Sequence, residues 1–167
     1  MSGCFGRTAA RVALWAILAL AACATPRIAV DYDRGAQFTS FHRFVVIARP
    51  HPGLDDNPLV IQRTSEAIAA ELMRKGFTHV TTPAQADFAL DFSVGTRDRI
   101  DVSSYPSEIK VRQYVEGTLA IDVFDVRSHR PVWHGSATKE LSMSEIEYSE
   151  TPIREAVADV LADFPPK

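Results

Sequence analysis

Asp31 and Asp33 are the first residues whose spacing bears on chemistry. On an extended strand, positions two apart project to one face. Two neighbouring carboxylates there can act as acid and base or hold a hard cation. The plainer reading is local: carboxylates just ahead of Gly35 accept hydrogen bonds from turn amides. Asp87 and Asp91 share one face of an alternating segment, and the alternation alone accounts for them. Asp122 and Asp125 have opposite parity and cannot share a face of a regular strand, so Asp125 instead suits a turn with Arg127. The histidines are His42, His51, His79, His129 and His134, and no two stand at helical i,i+4 spacing. His129 and His134 could meet across a hairpin and bind a metal, but no third ligand lies near them in sequence. The chain contains no H-E-x-x-H, no G-x-S-x-G and no glycine-rich phosphate loop. Neither a metal nor a cofactor is expected. Trp133 offers a surface anchor for a partner, although a strand tryptophan beside glycine more often packs into a core.

Cys23 is the remaining reactive group, and its context is specific. Residues 1–22 carry Arg7 and Arg11 and no acid, and residues 12–20 are nine apolar residues in a row. A membrane-spanning helix needs roughly 20 apolar residues, so this run reads as the h-region of a signal peptide. It closes on Leu20-Ala21-Ala22-Cys23, which resembles the bacterial lipobox. That resemblance implies cleavage before Cys23, a diacylglyceryl group on its thiol and acylation of its freed amine. Two acyl chains already anchor a protein stably. By the same resemblance, Ala24 rather than Asp after the cysteine directs the protein to the outer membrane.

Cleavage would leave residues 23–167, with 16 basic and 21 acidic residues and a net charge of −5. No basic stripe exists, so nucleic acid is not an expected partner. The length suits one domain, large enough to bury about two-thirds of its unfolded surface. Cys4 leaves with the signal and Cys23 carries lipid, so the domain rests on its core without disulfides. Residues 23–27 form a short linker. At about 3.5 Å per residue, it holds the domain within roughly 20 Å of the bilayer.

Residues 28–167 read as a single domain. Ile28-Ala29-Val30-Asp31-Tyr32-Asp33 predicts a first strand. Phe38, Phe41 and Phe44, spaced by three, predict a turn that buries aromatics, and Phe44-Val45-Val46-Ile47 a buried strand ending at Arg49-Pro50-His51-Pro52-Gly53. Asn57-Pro58 caps a helix whose inner face carries Ile61, Thr64, Ser65, Ile68 and Leu72, with Glu71 and Lys75 as an i,i+4 pair and Gly76 as the stop. A short strand follows over 77–82. Phe88, Leu90, Phe92 and Val94 then alternate with Asp87, Ala89, Asp91 and Ser93, which predicts a sheet with one covered and one open face. Residues 95–110 are polar and read as a long mobile loop. A strand over 114–126 points Leu119, Ile121 and Val123 inward, turns at Arg127-Ser128-His129-Arg130 and returns antiparallel over 131–137. Thr151-Pro152 repeats the capping device before a last helix from Pro152 to about Phe164, stopped by Pro165-Pro166. The expected fold is α+β: a two-layer sandwich with a mainly antiparallel sheet of five or six strands and two amphipathic helices on one face.

Asp31-Tyr32-Asp33 with Phe38 and Phe41, Lys75-Gly76-Phe77, Ala86-Asp87-Phe88, Gly117-Thr118-Leu119 with Asp122 and Asp125, Val132-Trp133-His134-Gly135 and a closing Phe164-Pro165-Pro166 together resemble domain of unknown function 4136. The resemblance covers nearly the whole mature chain and implies a bacterial envelope lipoprotein. It carries no catalytic residues with it. The expectation is therefore a periplasm-facing, outer-membrane-anchored lipoprotein acting as a non-catalytic binding or structural module, with an envelope protein as partner. Its candidate interaction surface comprises Asp31, Asp33, Asp91, Asp122, Phe124 and Trp133, with the open face presenting Ala89, Ser93 and Ala120 as well. Two alternatives stand beside it: a carrier or sensor of a small apolar ligand held between helices and sheet, and an enzyme built on Asp31 and Asp33 or on His129 and His134. Oligomeric state is not legible at this level.

Overall fold

The computed structural model describes residues 25–48, 57–105, 108–147 and 150–167. The signal-like segment 1–22, Cys23, Ala24 and the breaker cluster Arg49-Pro50-His51-Pro52-Gly53 lie outside the described residues. No helix among the described residues is long and apolar enough to cross a membrane.

Among the described residues, six strands form one open, mixed sheet in the order β1-β6-β5-β4-β2-β3. They are β1 (Arg27–Tyr32), β2 (Arg43–Ile47), β3 (Thr78–His79), β4 (Phe88–Tyr105), β5 (Glu108–Asp125) and β6 (Arg130–Leu141). β1, β6, β5 and β4 are antiparallel in turn, while β2 runs parallel to both β3 and β4. The helices are α1 (Pro58–Arg74), the short α2 (Met143–Glu147) and α3 (Glu150–Val160). α1 and α3 pack on each other and on one sheet face, which gives the expected two-layer α+β arrangement.

The period-two pattern explains the buried face. Phe88, Leu90 and Phe92 of β4 meet Leu119, Ile121 and Val123 of β5, and all are buried. Val60, Ala67, Ile68 and Leu72 of α1, and Ile153, Val157 and Val160 of α3, close the layer from above. Phe88 is the hub: its ring stacks on Phe41 at 5.0 Å and meets Phe77 and Phe164 at 5.3 and 5.7 Å. A single 3₁₀ turn over Phe38–Ser40 delivers Phe38 and Phe41 to this cluster, as their spacing by three predicts.

Caps act much as read, with two corrections. The Leu59 N–H donates to the Asn57 side chain at 3.0 Å, Pro58 begins α1, and Gly76 takes a φ of 95° just past its end. Glu71, however, pairs with Arg74 at 2.6 Å, while the Lys75 ammonium donates to the Ala162 carbonyl. A lysine that can satisfy an orphan carbonyl on the neighbouring helical segment is drawn off its own helix. Thr151 and Pro152 do not repeat the Asn57 device: α3 already includes Glu150, and it ends at Val160 with Phe164 in the turn beyond. Proline is tolerated anywhere in the first turn, where the N–H would be unpaired anyway.

The largest correction concerns residues 95–110. Residues 95–105 and 108–110 are not a loop but belong to two 18-residue strands, paired from Phe88↔Asp125 to Tyr105↔Glu108. β6 ends where Leu141 meets Val115, so residues 99–105 and 108–114 continue as a two-stranded ribbon about 23 Å long.

Candidate functional site

Three features converge on one end of the sheet. The first is a cleft of about 310 Å³ between the helices and the sheet, against the middle of β4 and β5 and the last residues of β6. Val60 and Thr64 of α1, Ile153 and Ala156 of α3, and Val94, Leu119 and Ala137 of the sheet line it. Thr64 is fully buried and donates its hydroxyl to the Val60 carbonyl at 2.8 Å, so its donor is not orphaned. The rim is polar. The Lys139 ammonium donates to Glu145 at 2.6 Å, and Glu145 also accepts from the Ser142 amide and hydroxyl at 2.8 and 2.7 Å. The Glu145 amide returns a bond to the Ser142 oxygen at 3.3 Å. This is a capping box on Ser142-Met143-Ser144-Glu145 that the motif reading missed, although S-x-x-E was there to be found. The Lys139 bond, followed by those of Ser142, holds the Glu145 carboxyl down at about 2.

The second feature is the ribbon, which rises from the cleft wall at Thr96. Its base is tied by charge on the sheet face away from the helices. Buried Glu116 accepts from Arg99 at 2.9 Å and lies 3.9 Å from Arg27, the first residue of β1. Arg112 meets Glu140 at 2.6 Å and lies 4.6 Å over the Tyr114 ring. The third feature is the start of β1. Arg27 pairs with Thr138, three positions before β6 ends, so the chain enters the sheet at the ribbon end, and Pro26 lines the cleft.

The predicted site residues are only partly gathered. On the open face, register aligns Asp31, His134, Asp122 and Asp91 across β1, β6, β5 and β4. His134 Nδ1 and Asp122 share a hydrogen bond at 2.7 Å. Asp33 accepts the amide of Gly35, as turn chemistry predicts, whereas Asp31 accepts that of Tyr32 within β1 rather than a turn amide. Asp125 likewise accepts from Arg127 and Ser128. His129 sits in the turn at a φ of 55°, apart from the strand position of His134. Among the described residues, no three metal-ligating side chains come together.

Two of the candidate surface residues are interior. Trp133 is 2 % exposed, with its ring 5.3 Å from that of Phe164, and its indole N–H has no partner among the described residues. Asp91 is 8 % exposed. Its strand neighbour Ala89 is also buried, in a small cluster with Val45 and Ala86 against which Ile47, Val80 and Val126 pack. Phe124 and Asp122 are half-buried, and only Asp31 and Asp33 are fully on the surface. Asp87 proves to be a clasp. Its carboxylate accepts from the Arg43 guanidinium at 3.0 Å and from the amides of Arg43 and His42. The Arg43 side chain first, then those amides, hold it below the usual aspartate range.

These features define an α+β open-sheet domain with a helix-side cleft and a projecting ribbon. No curated protein matches the chain. The sequence profile of domain of unknown function DUF4136 matches residues 28–166, and the chain belongs to that family. A DUF4136 family protein from Bacteroides thetaiotaomicron is similar in structure, with a TM-score of 0.57 at 14% identity, over 84% of this chain and 96% of that one. The PelC dodecamer from Paraburkholderia phytofirmans shares the fold at a TM-score of 0.53 and 13% identity, over 83% and 96% of the two chains. A PDZ domain protein from Parabacteroides distasonis matches at a TM-score of 0.55 and 15% identity over 87% of this chain, which spans only 38% of that protein.

Proposed function

We propose that this DUF4136 protein is a lipid-anchored, non-catalytic binding module of the cell envelope, carried on acylated Cys23 and facing the periplasm from the outer membrane. The observation that supports this reading is the convergence at one end of the sheet. The strand that follows the lipobox by four residues starts beside the cleft and the ribbon base. A tether of that length would hold both features at the membrane surface. Fractionation of a Cys23→Ala variant tests the anchor: the variant is expected to leave the outer-membrane fraction, and continued sedimentation there would sink the reading. Crosslinking of the lipidated protein in intact cells then identifies what it meets. An envelope protein is the expected product. Because the PelC neighbour is a dodecamer, links between copies of this chain are sought in the same experiment.

The cleft favours a second reading, a carrier of a small apolar ligand. Its walls are apolar and its volume is at the lower limit of small-molecule sites. Native mass spectrometry of the purified protein would show a retained ligand that an Ala156→Trp variant loses. A bare mass in both proteins counts against this second role.

A further inference from the structure

We propose that the apolar face of the β4–β5 ribbon is a second membrane contact, lying in the bilayer interface beside the lipid anchor. This rests on the Cys23 reading above and adds a surface to it. Cross-strand partners in the ribbon share a face, and Val102 pairs with Val111 while Ser104 pairs with Ile109. Ile100, Val102, Ile109 and Val111 thus form one strip on the helix side of the sheet. They extend the parity of the core residues beyond the reach of the helices, and are 60 to 73% exposed. The opposite face carries Arg99, Asp101 and Arg112. A strip of this kind in water is a marked surface, since apolar side chains grouped on one face are costly to leave hydrated.

The placement names the occupant. Other exposed large apolar side chains lie at the same end: Leu59 on the first turn of α1, and Met143 and Ile146 on α2 beside the cleft. Ile28 and Val30 lie on β1, which starts there, whereas Met73 lies at the far end of α1. Cys23 precedes Arg27 by four residues, a span of at most about 14 Å. Acyl chains on Cys23 therefore bring the bilayer to the apolar end of the molecule, within the length of the ribbon. The ribbon cannot cross it. Its strands are shorter than the 9–11 residues a spanning strand needs, and its edges would carry unpaired backbone groups into hydrocarbon. It lies along the surface instead, apolar side chains down among the upper acyl segments and charged side chains up, in the manner of an interfacial amphipathic element.

The acylated chain has no free thiol, because Cys4 leaves with the signal and Cys23 carries lipid. A single introduced cysteine is therefore a clean probe. The lipidated protein is reconstituted into phosphatidylethanolamine–phosphatidylglycerol vesicles and labelled with an environment-sensitive fluorophore at Val102→Cys or, on the opposite face, at Ser103→Cys. The Val102 label is expected to shift to the blue and be quenched by brominated lipids, while the Ser103 label is quenched by aqueous iodide. In a Cys23→Ala chain, which carries no acyl group, Val102→Ser with Val111→Ser is expected to lower the residual binding to vesicles by about tenfold or more. Both substitutions are at exposed positions, so circular dichroism should stay unchanged. If the protein floats with the vesicles but both labels report water, the ribbon contact is wrong and the anchor stands. If the unsubstituted chain does not float, both fall. Self-quenching between labelled Val102 copies would assign the strip to a second copy of the chain and overturn the membrane contact.

Discussion

Gly135 shows how one missing side chain sets the core. A Cβ there would overlap the Trp133 ring and Val160, so the glycine leaves the space that the ring edge occupies. Gly135→Ala is expected to lower stability by about 1–3 kcal/mol, the usual cost of overpacking, read as a shift in the thermal unfolding midpoint. Glu145 makes a second prediction. Its carboxyl is held at about 2 in the folded chain, below its ordinary 4.5, so the ionised form is the one the fold prefers. Its contribution is present above the ordinary value and is lost as pH falls toward 2. Acid titration followed by NMR should therefore show α2 loosening below pH 4.5, and a Glu145→Gln variant should remove that phase. Residue chemistry was partly legible in advance: Asp33 and Asp125 are turn acceptors because carboxylates two residues before an amide are built for it. The buried state of Asp91 was not legible, because alternation assigns a face and says nothing of what neighbouring strands place over it.

Elements were read well where one period dominated. The Asn57–Pro58 start and the Gly76 stop bracket α1 because caps are local chemistry. Replacing Asn57 by alanine should cost about 0.5–2 kcal/mol in chemical denaturation. The ribbon was missed for a physical reason. Ile100 and Val102 do alternate with Asp101 and Ser103, but neither ribbon face is packed on the domain, so its polar composition resembles that of a loop. Pairing with the adjacent strand, which a count of polar residues does not register, is what makes it a strand. The same holds for α2, whose capping box is plain once β6 is known to end at Leu141.

At the scale of the whole molecule, the two-layer arrangement followed from counting alternating and helical segments, while the sheet order did not. Nothing in residues 27–32 announces that their partner is β6. That pairing has a kinetic consequence. β4 and β5 are near neighbours in sequence, with Tyr105 paired to Glu108, whereas Arg27 meets Thr138 more than a hundred positions later. Closing the long loop is the slower event, since its entropy must be lost before the contact rewards it. Pulse-labelled hydrogen exchange during refolding should protect β4–β5 amides before those of β1, and equal protection times would contradict this order. If the chain is exported amino terminus first, as the proposed anchor at Cys23 requires, the earliest strand to arrive is the last to be used: β1 joins only after the sheet it pairs with has been assembled.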